Sequence, residues 1–407
     1  MKVNCRIVAI ILALSCILSL SGCNNKSVDE VKVNNGQEKI SNNEEVSEAS
    51  KVSEEAPKSK YENAIEIVSP GYEEVDNYLE GEYDNNAFQG VVLIAEGDDI
   101  KFAKGYGYAD LDENRKNEVT TRFAIASNTK QITAAAIMQL VEEGKVNVND
   151  TIDKYFPKFK YGSEITVKEL LQMRSGLMDY LNDPVSFMQD SASSKILDDY
   201  NKKEYFDEYV SDDRWSQDLI LNNLYLSHLL FTPGQAFDYC NTNYYLLGLI
   251  IEEASGMSYE EYVKKNIFEP CKMLDASMTA QENDAKGHGS DKSGEIVANP
   301  NFTYAAGNIY ANIYDVFRWN RMLHKGNIVS DASYNEMITP TEEGKYGYGL
   351  FIEDGVIRHS GVIDGFNSNT QYDPVKDITI IVLENADETI SLIDAKYETS
   401  IIGGLIN

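Results

Sequence analysis

Phe123-Ala-Ile-Ala-Ser-Asn-Thr-Lys-Gln-Ile-Thr-Ala-Ala-Ala-Ile-Met-Gln-Leu140 sets a hydroxyl and an amine one turn apart where an apolar helix begins. Residues three apart on a helix share a face, so the Lys130 side chain reaches back to the Ser127 hydroxyl. The pair has the makings of a nucleophile and its activator. Taken alone, Ser-x-x-Lys is also what a Ser-capped helix with a solvated Lys looks like. The helix is expected from about Ser127 to Glu143, with Gly144 ending it.

On the N-terminal side, Phe88-Gln-Gly-Val-Val-Leu-Ile-Ala95 reads as a strand, Asp98-Asp99 as a turn and Ile100 to Tyr108 as the hairpin partner. On the C-terminal side, apolar spacings of three and four predict helices over Thr166 to Met173, Leu219 to Leu230, Asn243 to Ala254, Tyr259 to Ile267 and Ile313 to His324. Strand character returns at Tyr346 to Ile352, Val356 to His359, Gly365 to Tyr372 and Asp377 to Leu383, and a last helix is expected from Ala386 or Glu388 to about Glu398. Strands at both ends around a helical middle predict an α+β fold: one antiparallel sheet built from both ends of the domain and flanked by helices, with a mainly helical second lobe. The default site is the cleft between them. Polar, aromatic stretches from Asp179 to Ser216 and from Gln281 to Pro300 read as surface excursions that set selectivity without readable chemistry.

Further out, Met1 to Arg6 is short and basic, Ile7 to Leu20 is apolar, and Ser21-Gly22-Cys23 supplies small residues. This is an export signal, too short for a comfortable membrane span. Its ending, Leu20-Ser-Gly-Cys23, resembles the bacterial lipoprotein signal, which implies cleavage before Cys23 and a lipid on that residue. The expected organisation is a signal peptide over 1–22, a disordered acidic tether over 23–70 and a folded domain over 71–407. The protein is then expected on the extracytoplasmic face of the bacterial cell membrane, held by its lipid.

The formal charge of -30 argues against nucleic-acid partners and against adhesion to an anionic surface. Beyond the signal region only Cys240 and Cys271 remain, either reduced in the core or paired. His228, His288, His324 and His359 are scattered, so no metal site is expected.

Two more segments follow the Ser127 motif in order: Thr232-Pro-Gly-Gln-Ala-Phe-Asp-Tyr-Cys-Asn-Thr-Asn-Tyr244 and Arg358-His-Ser-Gly-Val-Ile-Asp-Gly-Phe366. With Leu170-Leu-Gln-Met-Arg-Ser-Gly-Leu-Met-Asp-Tyr180, Ala305-Ala-Gly-Asn308 and Tyr346-Gly-Tyr-Gly349, they resemble the serine beta-lactamase and penicillin-binding-protein superfamily, closest to its class C-like branch. The resemblance covers nearly all of Gly81 to the C-terminus and implies a beta-lactamase/transpeptidase-like fold.

The resemblance also implies roles. Ser127 is the expected nucleophile, with Lys130 and Tyr239 as proton carriers that titrate as a unit, either of them the base. Asn241 is expected to tie Lys130 to the substrate, or else to cap the helix starting near Asn243. His359, Ser360 and Gly361 are expected on the strand lining the cleft, where Gly361 lets that strand come close to the substrate. The backbone N–H groups of Ser127 and Val362 are the implied oxyanion donors. His359 stands where many relatives carry a Lys, replacing a fixed cation by an imidazole that is expected to act as a substrate-side electrostatic or proton-relay residue, or else to be a merely structural strand His. No metal or organic cofactor is implied.

The expected activity is acyl-enzyme hydrolysis of an amide or ester, with peptides ending in D-amino acids as substrates in the manner of a DD-carboxypeptidase. The rivals are a carboxylesterase, a beta-lactamase, and a non-catalytic penicillin-sensing or wall-binding lipoprotein. The partners implied are thus a small peptide, beta-lactam or ester, and the membrane reached through the lipid anchor.

Overall fold

The computed structural model describes residues 61, 64–188, 216–287, 300–326, 328–363, 365–386 and 395–406. The signal peptide, Cys23, most of the tether, His288 and the larger parts of both surface excursions lie outside the described residues.

In chain order the strands are β1 (Ile67–Val68), β2 (Gly90–Glu96), β3 (Asp99–Tyr106), β4 (Tyr108–Asp110), β5 (Arg115–Lys116), β6 (Phe123–Ala124), β7 (Tyr310–Ala311), β8 (Phe351–Glu353), β9 (Val356–Ile363), β10 (Phe366–Asp373) and β11 (Ile378–Glu384). Seven of them form one sheet in the order β1-β3-β2-β11-β10-β9-β8, antiparallel at every pairing. The sheet thus joins the two ends of the domain, as the sequence pattern requires, through the β2–β11 ladder that sets Val92 opposite Val382.

Alternation of side chains along β2 and β11 explains why both are nearly continuous apolar runs. Val91, Leu93, Ala95, Ile381 and Leu383 face the large core shared with the helical lobe. Val92, Ile94, Ile380 and Val382 face the opposite side, against Val75 and Leu79 of the helix Glu73–Asp84 and Ile402 of the helix Ala395–Leu405. Two-sided burial of the central strands leaves β8, β9 and β10 at one end of the sheet to carry the cleft wall.

Helices in the middle of the chain match the expected periodicities: Val167–Leu171, Gln217–Leu226, Asn241–Ser255, Tyr259–Val263 and Ile313–His324. The helix Glu73–Asp84 was not legible, because only Val75 and Leu79 mark its buried face. The last helix is seen over Ala395–Leu405, past the expected end near Glu398 and with Gly403 and Gly404 inside it, while residues 387–394 of the expected span lie outside the described residues.

The tether boundary at residue 70 needs correction. Ile67 and Val68 pair with Ala103 and Phe102 as the edge strand β1, and Ser69 N–H bonds the Lys101 carbonyl at 2.9 Å. Tyr61 stacks on Tyr314 with ring centroids 5.6 Å apart and donates its hydroxyl to Asp315 at 2.6 Å. A short β-branched run in polar surroundings looks like linker, yet it gains a ladder once β3 presents an open edge.

Candidate active site

Ser127 sits in a single 3-10 turn, Ala126–Asn128, between β6 and the helix Thr129–Glu142. Ala126 enters that turn with φ +45°, a left-handed conformation that a non-glycine residue adopts only when its surroundings impose it. Those surroundings are a buried polar lattice. Asn128 donates from Nδ2 to Ser368 Oγ at 2.8 Å, and Ser368 donates to the Ile125 carbonyl at 2.8 Å. Asn128 Oδ1 accepts from Gln131 Nε2 at 2.7 Å and Thr370 Oγ1 at 2.9 Å. Trp319 Nε1 in turn donates to Gln131 Oε1 at 3.2 Å. The turn is thus pinned to β10 on both sides of Ser127.

Gly361 completes the pinning from β9. A Cβ there would lie 2.4 Å from the Ile125 carbonyl oxygen and 2.8 Å from Ser127 N. The close approach this glycine permits is to the nucleophile's own turn.

Lys130 is fully buried. Its Nζ lies 2.9 Å from Ser127 Oγ, 2.8 Å from Asn241 Oδ1 and 2.7 Å from the Ala306 carbonyl. Burial lowers its pKa from the ordinary lysine value to about 7, against the pull of Asp179, which raises it. The Asn241 amide orientation is fixed because its Nδ2 donates to Asp179 Oδ2 at 3.0 Å. Asn241 Oδ1 and the Ala306 carbonyl can only accept, so they consume two N–H bonds of Lys130. The third position of a neutral amine, its lone pair, then faces the one neighbour able to donate, Ser127.

Asn241 begins the helix Asn241–Ser255, with Cys240 at the N-cap position and no side-chain cap. The capping alternative for Asn241 is thereby set aside, since its amide spans Lys130 and Asp179 instead. Asp179 is brought there by the segment 173–180, stitched to the helix start by Thr242 Oγ1 to the Met178 carbonyl at 2.6 Å and Ser175 Oγ to Asn243 Oδ1 at 2.5 Å. Sequence reading passed over Asp179 as a site residue. Its signal was a lone carboxylate at the end of the otherwise apolar run Gly176-Leu-Met-Asp179.

Tyr239 arrives from the preceding loop. Its ring lies 5.1 Å from Lys130 Nζ, and the neighbouring Ser127 side chain eases ionisation of its hydroxyl. Burial raises its pKa above that of a free phenol, with Asp179 adding to the rise. An anionic Tyr239 stabilised by Lys130 is thus disfavoured, and the free amine is the better base of the two. Cys240 turns away to the Leu177 carbonyl at 3.4 Å, and both Cys240 and Cys271 are free, buried thiols.

His359 departs from its expected placing. It is buried in β9, with Nδ1 2.6 Å from the Ser360 carbonyl and Nε2 3.1 Å from Tyr346 Oη. A carbonyl only accepts, so Nδ1 carries the proton and Nε2 receives the Tyr346 hydroxyl. Burial, then the nearby Lys130 charge, hold its pKa down at about 3, so the ring is neutral. It is not a substrate-facing cation: strand alternation turns His359 inward and leaves Val362 outward, 55% exposed.

The cleft itself is a hollow of about 230 Å³ between the two lobes, walled by Ser127, Leu181, Asn241, Phe302, Val362 and Ile363 among others. Ser127 and Val362, the two residues whose N–H groups are the expected oxyanion donors, thus share one cavity, and the buried His359 side chain does not line it.

Comparison with known proteins agrees with this fold. The family model described as Beta-lactamase matches residues 75–399. A Bacillus subtilis (strain 168) protein named "Putative penicillin-binding protein PbpX" is 28% identical over 82% of this chain and 78% of its own length. The structure of a penicillin binding protein from Bacillus halodurans aligns with TM-score 0.66 at 25% identity, covering 81% of this chain and 99% of that one. A D-amino acid amidase from Ochrobactrum anthropi SV3 shares the fold at TM-score 0.67 and 21% identity, covering 82% of this chain and 98% of that one. With four fifths of its length matched and a Ser-Lys-Tyr centre assembled between an antiparallel sheet and a helical lobe, the chain belongs to the beta-lactamase family.

Proposed function

We propose that the protein is a serine hydrolase that forms an acyl-enzyme on Ser127. The observation that carries this reading is the buried Lys130 amine, 2.9 Å from Ser127 Oγ and held at a pKa of about 7. A base matched to neutral pH and in contact with a hydroxyl is what nucleophile activation requires.

Lys130 takes the Ser127 proton as Oγ bonds to the substrate's carbonyl carbon. The N–H groups of Ser127 and Val362 hold the resulting oxyanion, each worth about 3 kcal/mol in the transition state. As the intermediate collapses, the departing nitrogen or oxygen receives the phenol proton of Tyr239, which is replaced from the Lys130 ammonium. Water then attacks the acyl carbon, passes its proton along the same route, and Ser127 leaves protonated. Asn241 holds the Lys130 amine in line and, with Ser360, borders the substrate; Gly361 and His359 position the strand.

The substrate class is a peptide ending in D-amino acids, cleaved at an amide or ester in the manner of a DD-carboxypeptidase, a choice supported by an N-terminal segment that reads as an export signal and by the names of the penicillin-binding relatives. Lipidation of Cys23 would hold the domain at the outer face of the cell membrane, an arrangement checked by loss of membrane association in Cys23→Ser. The function is tested by labelling with a fluorescent phosphonate. Labelling of the native protein and none of a cooperatively folded Ser127→Ala is expected, and equal labelling of the two would remove Ser127 from its role.

A further inference from the structure

Given acyl transfer at Ser127 with Lys130 as the base, on which this step rests, we propose that Thr133 is a positioning residue for that base: its hydroxyl fixes the Ala305–Ala306 backbone so that the Ala306 carbonyl holds the Lys130 amine on Ser127. Thr133 touches no reacting atom. It lies one helical turn beyond Lys130, and residues three apart share a face, so both side chains address the same strip of chain.

Lys130 Nζ reaches the Ala306 carbonyl at 2.7 Å, and Thr133 Oγ1 lies 2.7 Å from the Ala305 carbonyl. A carbonyl can only accept, so this contact takes the one Thr133 proton; the Thr129 carbonyl, at 3.3 Å, is the poorer acceptor. The Tyr259 hydroxyl, 2.7 Å from Thr133 Oγ1, is then the donor of that pair. Thr133 and Tyr259 are both buried, so neither bond competes with water. Thr129 adds a further tie, its Oγ1 accepting from the Ile309 N–H at 3.3 Å. One face of the nucleophile's helix thus holds the backbone of 305–309 at Ala305, Ala306 and Ile309.

That segment needs holding. Tyr304 enters the 3-10 turn Tyr304–Ala306 with φ +41°, a left-handed conformation that a bulky residue adopts only when its surroundings impose it. Its ring packs on Tyr245 and Tyr259, with centroids 5.0 and 5.1 Å away. The helix Asn241–Ser255 comes so close that a Cβ on Gly248 would lie 2.5 Å from both Ala305 Cβ and Tyr304 Cε1. Ala306 and Gly307 also line the cleft hollow, so a loosened turn would shift the acceptor of the base together with the wall beside Ser127.

The test is the rate of phosphonate labelling against pH for the native protein, Thr133→Val, Thr133→Ser and the double variant Thr133→Val/Tyr259→Phe. Thr133→Val keeps the branched shape and loses the hydroxyl, which releases the Ala305 carbonyl and strands the Tyr259 hydroxyl. The saturating rate should fall about tenfold to a hundredfold, the scale of a small misplacement of a reacting group, with the half-saturating concentration little changed. A carbonyl that accepts from an ammonium favours the charged form, so its loss should also move the acidic limb to lower pH. The titratable groups facing Lys130, namely Asp179, Tyr239, Cys240, Tyr244 and His359, are untouched by the change. Removing the stranded hydroxyl in the double variant should return the thermal midpoint toward native but not the rate. Thr133→Ser, which keeps the donor, should label at close to the native rate.

A folded Thr133→Val or double variant that labels at the native rate with an unmoved limb would overturn the proposal. So would a double variant that regains rate along with stability, or a Thr133→Ser protein as slow as Thr133→Val, because either makes the effect one of packing and not of the bond to Ala305. Should Thr133→Val not fold, the double variant and Thr133→Ser carry the same decision. No labelling of the native protein would instead bring down the acyl-transfer reading and this inference with it.

Discussion

One oxygen of the Asp179 carboxylate takes two hydrogen bonds from a single residue: Asn241 gives it a main-chain N–H at 3.1 Å and a side-chain N–H at 3.0 Å. The carboxylate thereby decides which end of the Asn241 amide faces Lys130, and it is also the charge that holds the lysine's pKa up against burial.

Asp179→Asn should therefore act in two ways. The Asn241 amide loses its reason to present Oδ1 to Lys130, and kcat/KM should fall about tenfold to a hundredfold, as for other residues that orient a primary ligand. With the raising charge gone, the Lys130 pKa drops, so the acidic limb of the surviving activity should move to lower pH. A variant with full activity and an unmoved limb would show that Asp179 does not position Asn241.

In the native protein the amine works only when free. Activity should rise with pH through a single ionisation near pH 7, the value to which burial lowers Lys130. No separate step should come from His359, whose pKa lies far below that range. The pH profile of kcat/KM checks both points. Lys130→Met should lower kcat by at least about a hundredfold, the scale of general-base catalysis.

What could be read in advance was what lies close together in sequence. Ser127 and Lys130 are one helical turn apart, and Tyr239 and Asn241 share one short motif, so local spacing sufficed. The supports of that centre are joined only by folding. Asn128 meets Ser368 and Thr370 from across the domain, and nothing local to either marks the other. Asp179 was in view as sequence but not as a partner of Asn241. His359 failed for a different reason: its identity was clear, but the parity of β9 and the hydroxyl of Tyr346 decide which way the ring points, and neither shows in the motif. Periodicity likewise exposed the two-sided strands β2 and β11 but not the sparse helix Glu73–Asp84 or the short edge strand β1.

Gly361→Ala tests the pinning of the nucleophile turn. The added Cβ would press on the Ile125 carbonyl oxygen and on Ser127 N, both backbone atoms with no rotamer to yield. Overpacking of this kind costs about 1–3 kcal/mol. The thermal midpoint should drop by several degrees. Because the strain falls on the N–H that would face the oxyanion, phosphonate labelling should slow by more than the stability loss explains. Normal labelling in a destabilised protein would separate the packing role from the site.

Tyr61 and Asp315 test where the folded domain starts. Asp315 is buried, and burial, the largest influence, raises its pKa from 3.8 to about 6, while the hydrogen bond from Tyr61 lowers it. A carboxyl raised on folding contributes stability that is fully present below about pH 3.8 and lost as pH rises through about 6. Native stability should therefore decline across that window relative to Asp315→Asn, which cannot ionise and still offers an oxygen to the Tyr61 hydroxyl. The two proteins should differ least near pH 4 and most above pH 6.5, in the variant's favour. Tyr61→Phe removes the bond that eases the ionised form, so its stability should fall below native mainly at the upper end of the window. Urea midpoints at pH 4, 5, 6 and 7 decide the matter. If Tyr61→Phe matched the native protein at every pH, residue 61 would belong to the tether, and the domain would begin no earlier than β1.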